Sequence, residues 1–341
     1  MLTVSLFVLR TITYRDIISV FMIGRIIPVT VKAVRQVVTV LIAAALTMIS
    51  VFAFADGEFR PLPIDLSPGA PLRETYDSEK VIYEDPTIRV ERSKRTLSEE
   101  IGREYYIVDI EIKDASQIRT APADPSTPFL SNRLVIASTI ARRVNAVFAM
   151  NGDFCGDFHG HESSKYVLRQ GTVYRDTVDT RLDTLLIDED GDFHIVQGGD
   201  ALVSMDKTQV NGKKVINLFQ FGPALVIDGV PVDDEYIESA DHSPQFADPD
   251  GREDRLCLVQ VGPLHYKVIA TRNGANMALF KKLVVSLVPE CSNAYVLDGG
   301  GSLQLVFLGE WYNNVTQQTK QNVRKLSDIV YFASAWFEEG E

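Results

Sequence analysis

"NAYVLDGGGSLQLVF", Asn293–Phe307, is an apolar run, a carboxylate followed by three glycines, and a second apolar run. The pattern predicts strand, turn, strand. Glycine loses more backbone freedom on folding than any other residue, so three in a row are placed where a side chain would obstruct. Either the chain turns tightly in a hairpin, as Asp and Gly favour, or a ligand approaches the backbone closely. Backbone N–H groups in such a turn can converge on an anion, and Asp298 stands at the rim of that hollow.

Outward from this stretch the same textures recur. Met277, Phe280, Val284, Leu287 and Val288 fall three and four apart, which predicts a helix with one apolar stripe, ended by Pro289. "RLCLVQV" (255–261) and "HYKVIAT" (265–271) read as a strand pair. "DTLLIDEDGDFHIV" (183–196) and "ALVIDGVPV" (224–232) are hairpin signals centred on Asp190-Gly191 and Asp228-Gly229. In "YYIVDIEI" (105–112), Tyr106, Val108, Ile110 and Ile112 share one face, with Asp109 and Glu111 on the other. "IRVERSKR" (88–95) alternates in the same way. Arg133–Asn145 carries apolar residues at helical spacing and leads into a buried strand, "AVFAM" (146–150), and "SDIVYFASAWF" (327–337) reads as a final strand. Hairpins with two interposed helices predict an α+β fold. The expected form is a strand-rich single domain, residues 80–337, with a mixed or antiparallel sheet and a few packed helices.

The amino terminus differs in kind. Val37–Ala55 is an uncharged apolar run preceded by scattered basic residues and closed by Ala53-Phe54-Ala55. Residues 1–55 therefore read as a signal peptide or a membrane anchor spanning 37–55, and either places the remainder outside the cytoplasm, secreted or in the cell envelope. Residues 56–79, with the proline-rich stretch 61–71, read as a linker. The 341-residue chain has a formal charge of −12. Without the leader's five basic residues and one acid, 29 basic and 45 acidic residues remain. So acidic a body excludes nucleic acid as a partner. Cys155, Cys257 and Cys291 have no C-x-x-C spacing, which excludes zinc-ribbon and thioredoxin-like readings and favours buried free thiols over a Cys257–Cys291 bridge.

A second polar concentration follows "AVFAM": Asn151, Gly152, Asp153, Asp157, His159, His161 and Glu162 lie on one loop. The two histidines lack a third at a familiar spacing, so no dedicated metal site or cofactor is expected, and calcium on the carboxylates stays open. Asn151 and Asp153 suit sugar hydroxyls and proton handling. An acid beside an anion cradle makes sense where it handles a proton or faces developing positive charge, and glycoside cleavage supplies both. Phe221-Gly222-Pro223 reads as a turn. Arg255 could fork onto phosphate or pair at the surface with Glu253 or Asp254. G-x-S-x-G, P-loop and dinucleotide fingerprints are absent.

"AMNGDF" (149–154), "VLRQGTVYRD" (167–176), "FGPALVIDG" (221–229), Arg255 and "CSNAYVLDGGGS" (291–302) together resemble the phosphodiester glycosidase family. "YYIVDIEIKDASQIRTAPA" (105–123) and "SDIVYFAS" (327–334) are similar to its bacterial branch. The resemblance implies hydrolysis of a sugar-1-phosphate diester at its glycosidic bond, on phosphate-linked surface or cell-wall glycans. Carried over by position, Asp298, Asp153 and Asn151 are the catalytic candidates. Gly299, Gly300, Gly301, Ser302, Arg255 and Gly152 are the substrate- and phosphate-binding candidates. The chain departs from the family at Leu303-Gln304-Leu305, where hydroxyls are usual, and after Arg255. These departures raise the alternative of a non-catalytic glycan-binding protein on the same fold.

Overall fold

The computed structural model describes residues 73–76, 80–95, 104–126, 129–130, 133–153, 165–237, 253–313 and 324–335. The leader, Cys155, His159 and His161 lie outside the described residues, as does the 56–79 segment apart from 73–76. Among the described residues the strands build three sheets, and every ladder is antiparallel. The nine-stranded sheet runs in spatial order β1 (Arg73–Tyr76), β2 (Lys80–Glu84), β3 (Ile88–Arg95), β4 (Glu104–Ile112), β16 (His265–Ala275), β15 (Glu253–Gly262), β17 (Asn293–Leu297), β13 (Ala224–Ile227) and β14 (Val230–Pro231). A six-stranded sheet orders β10 (Phe193–Val196), β9 (Asp183–Asp188), β12 (Lys213–Phe221), β7 (Val167–Arg169) and β8 (Thr172–Arg175), with β11 (Gln209–Val210) beside β12. The third, of five strands, orders β19 (Glu310–Trp311), β18 (Leu305–Phe307), β6 (Phe148–Asn151), β20 (Asp328–Phe332) and β5 (Ile118–Pro122). With helices α1 (Ala137–Arg143), α2 (Gly199–Ser204), α3 (Asp234–Ile237) and α4 (Met277–Leu287), the fold is α+β.

Local rules account for most of these elements. On β4 the alternation places Tyr106, Val108 and Ile110 fully inside, while Asp109 on the opposite face meets His265 and Lys267 of β16, each at 2.6 Å. The β13–β14 turn has positive φ at both Asp228 (49°) and Gly229 (79°), which matches the twist of a two-residue hairpin. Asn276 caps α4, its side chain accepting from the Leu279 N–H at 2.9 Å. One continuous apolar cluster draws on all three sheets, from Tyr106 on β4 to Phe219 on β12 and Phe332 on β20. Burial of each such side chain stabilises the fold by about 1.5–3 kcal/mol before entropy is counted.

Three expectations change. The helix expected from Arg133 begins only at Ala137, because the Val135 backbone exchanges hydrogen bonds with Leu326 (3.1 and 2.7 Å) and is held extended. It ends at Arg143, and Asn145 turns into the left-handed region at φ 49°. Two helices are joined by two more, α2 and α3, too short to show a period. Residues 73–76, read as linker, pair with β2 as an edge strand. Cys257 and Cys291 are buried free thiols.

The chain does not double back at the triglycine. β17 lies between β15 and β13 in the first sheet, whereas β18 pairs with β6 and β19 in the third. The glycines form a crossover between sheets, not a hairpin.

Candidate active site

The ends of β6 and β17 meet at this crossover. The Asn151 side-chain amide donates to the Asp298 carbonyl at 2.6 Å, and the Asp298 N–H donates to the Gly152 carbonyl at 3.3 Å. The Asn151 side-chain oxygen accepts from the Gln304 N–H at 3.2 Å. Asn151 is 1% exposed, so its amide clamps backbone to backbone. Gly152 is glycine because a Cβ there would sit 2.7 Å from the Asp328 carboxylate.

Each glycine of the triplet has a different reason. A Cβ on Gly299 would lie 2.3 Å from the Asp254 carbonyl oxygen, so the start of β15 packs directly on its Cα. Gly300 adopts φ 55°, and Glu253 Oε2 lies 3.2 Å from where its Cβ would be. At Gly301 the nearest heavy atom to a built Cβ is Arg324 Cβ at 4.0 Å, which leaves that face open. Ser302 N–H and Leu303 N–H close a 3₁₀ turn onto the carbonyls of Gly299 (3.0 Å) and Gly300 (3.2 Å). The Gly299 N–H donates to the Asp298 carboxylate at 2.9 Å.

Asp298 is half-buried. Burial pushes its carboxyl above the usual carboxylate range. The Ser302 hydroxyl, Lys165, Arg324 and the Gly299 amide pull the other way without cancelling the desolvation. Arg324 Nη1 in turn donates to Ser302 Oγ at 3.3 Å. A carboxyl with raised proton affinity beside a bare glycine turn is suited to general acid work.

Asp153 has a different environment. It is fully buried, with one oxygen 2.6 Å from Arg169 Nη2 and the other accepting from the Gln220 N–H at 3.1 Å. Arg169 is equally buried, stacks on Phe219 with its guanidinium carbon 4.3 Å from the ring centroid, and lies 3.5 Å from Asp328. Arg255 sits at 4% exposure, donating from Nε to the Ala275 carbonyl at 3.0 Å, and burial lowers its proton affinity. Its stem belongs to the interior of β15, so it is not a surface arginine, while the expected carboxylates of Glu253 and Asp254 do act on its charge. Phe221-Gly222-Pro223 turns β12 into β13, braced by Asp183 accepting from the Ala224 N–H at 2.8 Å.

Sequence reasoning missed Lys165, Arg324, Arg169, Asp328 and Gln304. Arg169 carried a signal, a charged residue inside the apolar run "YVLRQ", which requires a buried partner. Lys165 and Arg324 carried none, because only the fold brings them to Asp298. Gln304, read as a departure that thins the site, is fully buried and ties three elements together. Its side-chain oxygen accepts from the Ala137 N–H (2.8 Å) and its amide donates to the Arg324 carbonyl (2.8 Å). Among the described residues no three His, Cys, Asp or Glu group as metal ligands.

These features define a strand-rich α+β protein with a half-buried carboxyl over a glycine crossover. The sequence profile of the phosphodiester glycosidase family matches residues 144–333, and the chain belongs to that family. Its fold is similar to the catalytic domain of zebrafish N-acetylglucosamine-1-phosphodiester alpha-N-acetylglucosaminidase, a structure described as auto-inhibited by pro-peptide. The two share 16% identity with a TM-score of 0.56, over 82% of this chain and 98% of that one. A hypothetical protein from Synechocystis is similar at 14% identity and a TM-score of 0.48, over 73% of this chain and 62% of that one. No curated protein sequence matches significantly.

Proposed function

We propose that this protein is an exported hydrolase that cleaves the glycosidic bond of a sugar-1-phosphate diester in a surface or cell-wall glycan. The observation that carries the reading is Asp298, a carboxyl raised by burial and set beside an open glycine turn, within a family of phosphodiester glycosidases. In the reaction Asp298 donates its proton to the departing phosphate oxygen as the bond to the anomeric carbon breaks, and water completes the sugar. Glu253, whose carboxylate stands across Gly300 and acts on Arg255, is the candidate to activate that water or stabilise the oxocarbenium centre. In this reading Asp153 and Asn151 are positioning residues. Asp153 fixes Arg169 and the end of β6, and Asn151 holds the Asp298 backbone. Export rests on the leader at 1–55, and fractionation of cells expressing the full chain tests it: recovery in the cytosol refutes it.

The reaction is tested by incubating the purified protein with an N-acetylglucosamine-1-phosphodiester and following free sugar by NMR. Asp298→Asn and Glu253→Gln are run beside the wild type. Asp298→Asn is expected to lose about 10²- to 10⁴-fold in rate. Full activity in a folded Asp298→Asn variant refutes the assignment. Binding of the diester without turnover by the wild type favours the glycan-binding alternative.

A further inference from the structure

Once Asp298 has given its proton to the departing phosphate in the proposed reaction, carboxylate and phosphate are both anions, and two like charges stay side by side only if cations flank them. The triglycine amides supply part of that field at most, since the Gly299 N–H already serves the Asp298 carboxylate and the Ser302 N–H closes the turn. Arg255 is directed into the end of β16. The cations that act on Asp298 are Lys165 and Arg324, brought there by separate segments of the chain.

Lys165 immediately precedes the strand pair β7–β8. Its Nζ donates to the Asp153 carbonyl at 2.7 Å and lies 4.8 Å from the centroid of the Phe221 ring, so the ammonium is fixed against the mouth of β6. Arg324 lies shortly before β20. Its backbone N–H donates to the Gly301 carbonyl at 3.0 Å and its carbonyl accepts from Gln304. The residue is thus stitched to the glycine turn while its guanidinium reaches the hydroxyl that bonds Asp298. Arg324 is exposed and Lys165 half-buried, so both heads can face a solvent-borne ligand. Beside Arg324 lies Gly301, the one glycine of the three whose missing side chain no neighbour demands.

We propose that Lys165 and Arg324 are the phosphate-recognising pair of this site, gripping the phosphodiester over the bare backbone of Gly301. The proposal deepens the glycosidase reading and rests on it for the reaction, though not for anion binding itself. Arg324 offers a planar fork for two phosphate oxygens and Lys165 a point charge. Specificity for a phosphate-linked sugar over a neutral glycoside then resides in residues 165 and 324, not in Arg255.

The test uses the full chain as wild type, Arg324→Gln, Lys165→Gln and Arg324→Lys, each checked for an unchanged circular dichroism spectrum. Inorganic phosphate is titrated by calorimetry, and kcat/KM is measured on the sugar-1-phosphodiester and on a neutral aryl glycoside of the same sugar. Each Gln variant is expected to weaken phosphate binding about 10- to 100-fold, the range for losing a charge-assisted hydrogen bond, and to lower the diester-to-glycoside ratio of kcat/KM by a similar factor. Arg324→Lys is expected to recover part of both. Wild-type phosphate affinity in both Gln variants, equal losses on the two substrates, or no phosphate binding by the wild type would each overturn the proposal. Phosphate binding that depends on both residues in a wild type without turnover would uphold the clamp while removing the glycosidase reading.

Discussion

Asp298 is a residue whose burial costs the fold and whose proton the proposed reaction uses. Its carboxyl is raised above the ordinary range by burial, so its contribution to stability is full below the unfolded pKa and lost as pH rises through the folded one. At neutral pH the raised pKa therefore weighs against the folded state. Asp298→Asn, which still offers an oxygen to the Gly299 N–H, is expected to melt higher than the wild type at pH 7, with the difference vanishing toward about pH 4. Thermal melts across that range check this, and a variant less stable at pH 7 would contradict it. The proposed catalysis has the same dependence on the proton. If Asp298 is the general acid it must hold its proton, so kcat/KM is expected to fall as pH rises through its raised pKa. Asp298→Asn is expected to abolish that limb of the profile.

At the scale of the element, the triglycine crossover is one turn with three separate requirements. Gly299→Ala would drive a Cβ to 2.3 Å from the Asp254 carbonyl oxygen, and prying β15 from the turn is expected to cost about 1–3 kcal/mol. Gly301→Ala meets nothing closer than 4.0 Å and is expected to change stability by no more than about 0.5 kcal/mol. Urea denaturation of the two variants separates a turn kept bare by packing from one kept bare for a ligand. Gln304 belongs to the same element. Gln304→Leu would leave the Ala137 N–H and the Arg324 carbonyl without their side-chain partner, at about 1–3 kcal/mol each where burial is complete. A loss of stability with retained phosphate affinity would identify Gln304 as a replacement that keeps the fold, not a lesion in the site.

Across the molecule, the five- and six-stranded sheets meet at a buried ionic knot formed by Asp153 beyond β6, Arg169 on β7 and Asp328 on β20. Removing one partner from a buried pair leaves an uncompensated charge, so Arg169→Met is expected to cost about 3–5 kcal/mol, read from the urea midpoint. Adding Asp153→Leu is expected to restore part of that loss, because apolar groups of similar size can replace a buried pair at little cost. A double variant no more stable than the single would show that the knot is held chiefly through Asp328.

Local physics was legible from the sequence alone. Alternation gave the β3–β4 pair, the D-G dipeptides gave the hairpins at 190–191 and 228–229, and the apolar stripe gave α4, because each depends on neighbours within a few residues. The meeting point of 151–153 and 298–302 was marked in the sequence too, since a carboxylate before three glycines is unusual without a cause. Long-range pairing was not legible. Whether the triglycine was a hairpin or a bridge between sheets depended on β18 finding β6, far away in sequence. That Asp153 and Arg255 are buried against Arg169, Gln220 and the Ala275 carbonyl was likewise visible only once those partners were placed around them. Lys165 and Arg324 had no pattern of their own. Only the tertiary structure sets them beside Asp298, because an electrostatic environment is made of whatever the fold brings near.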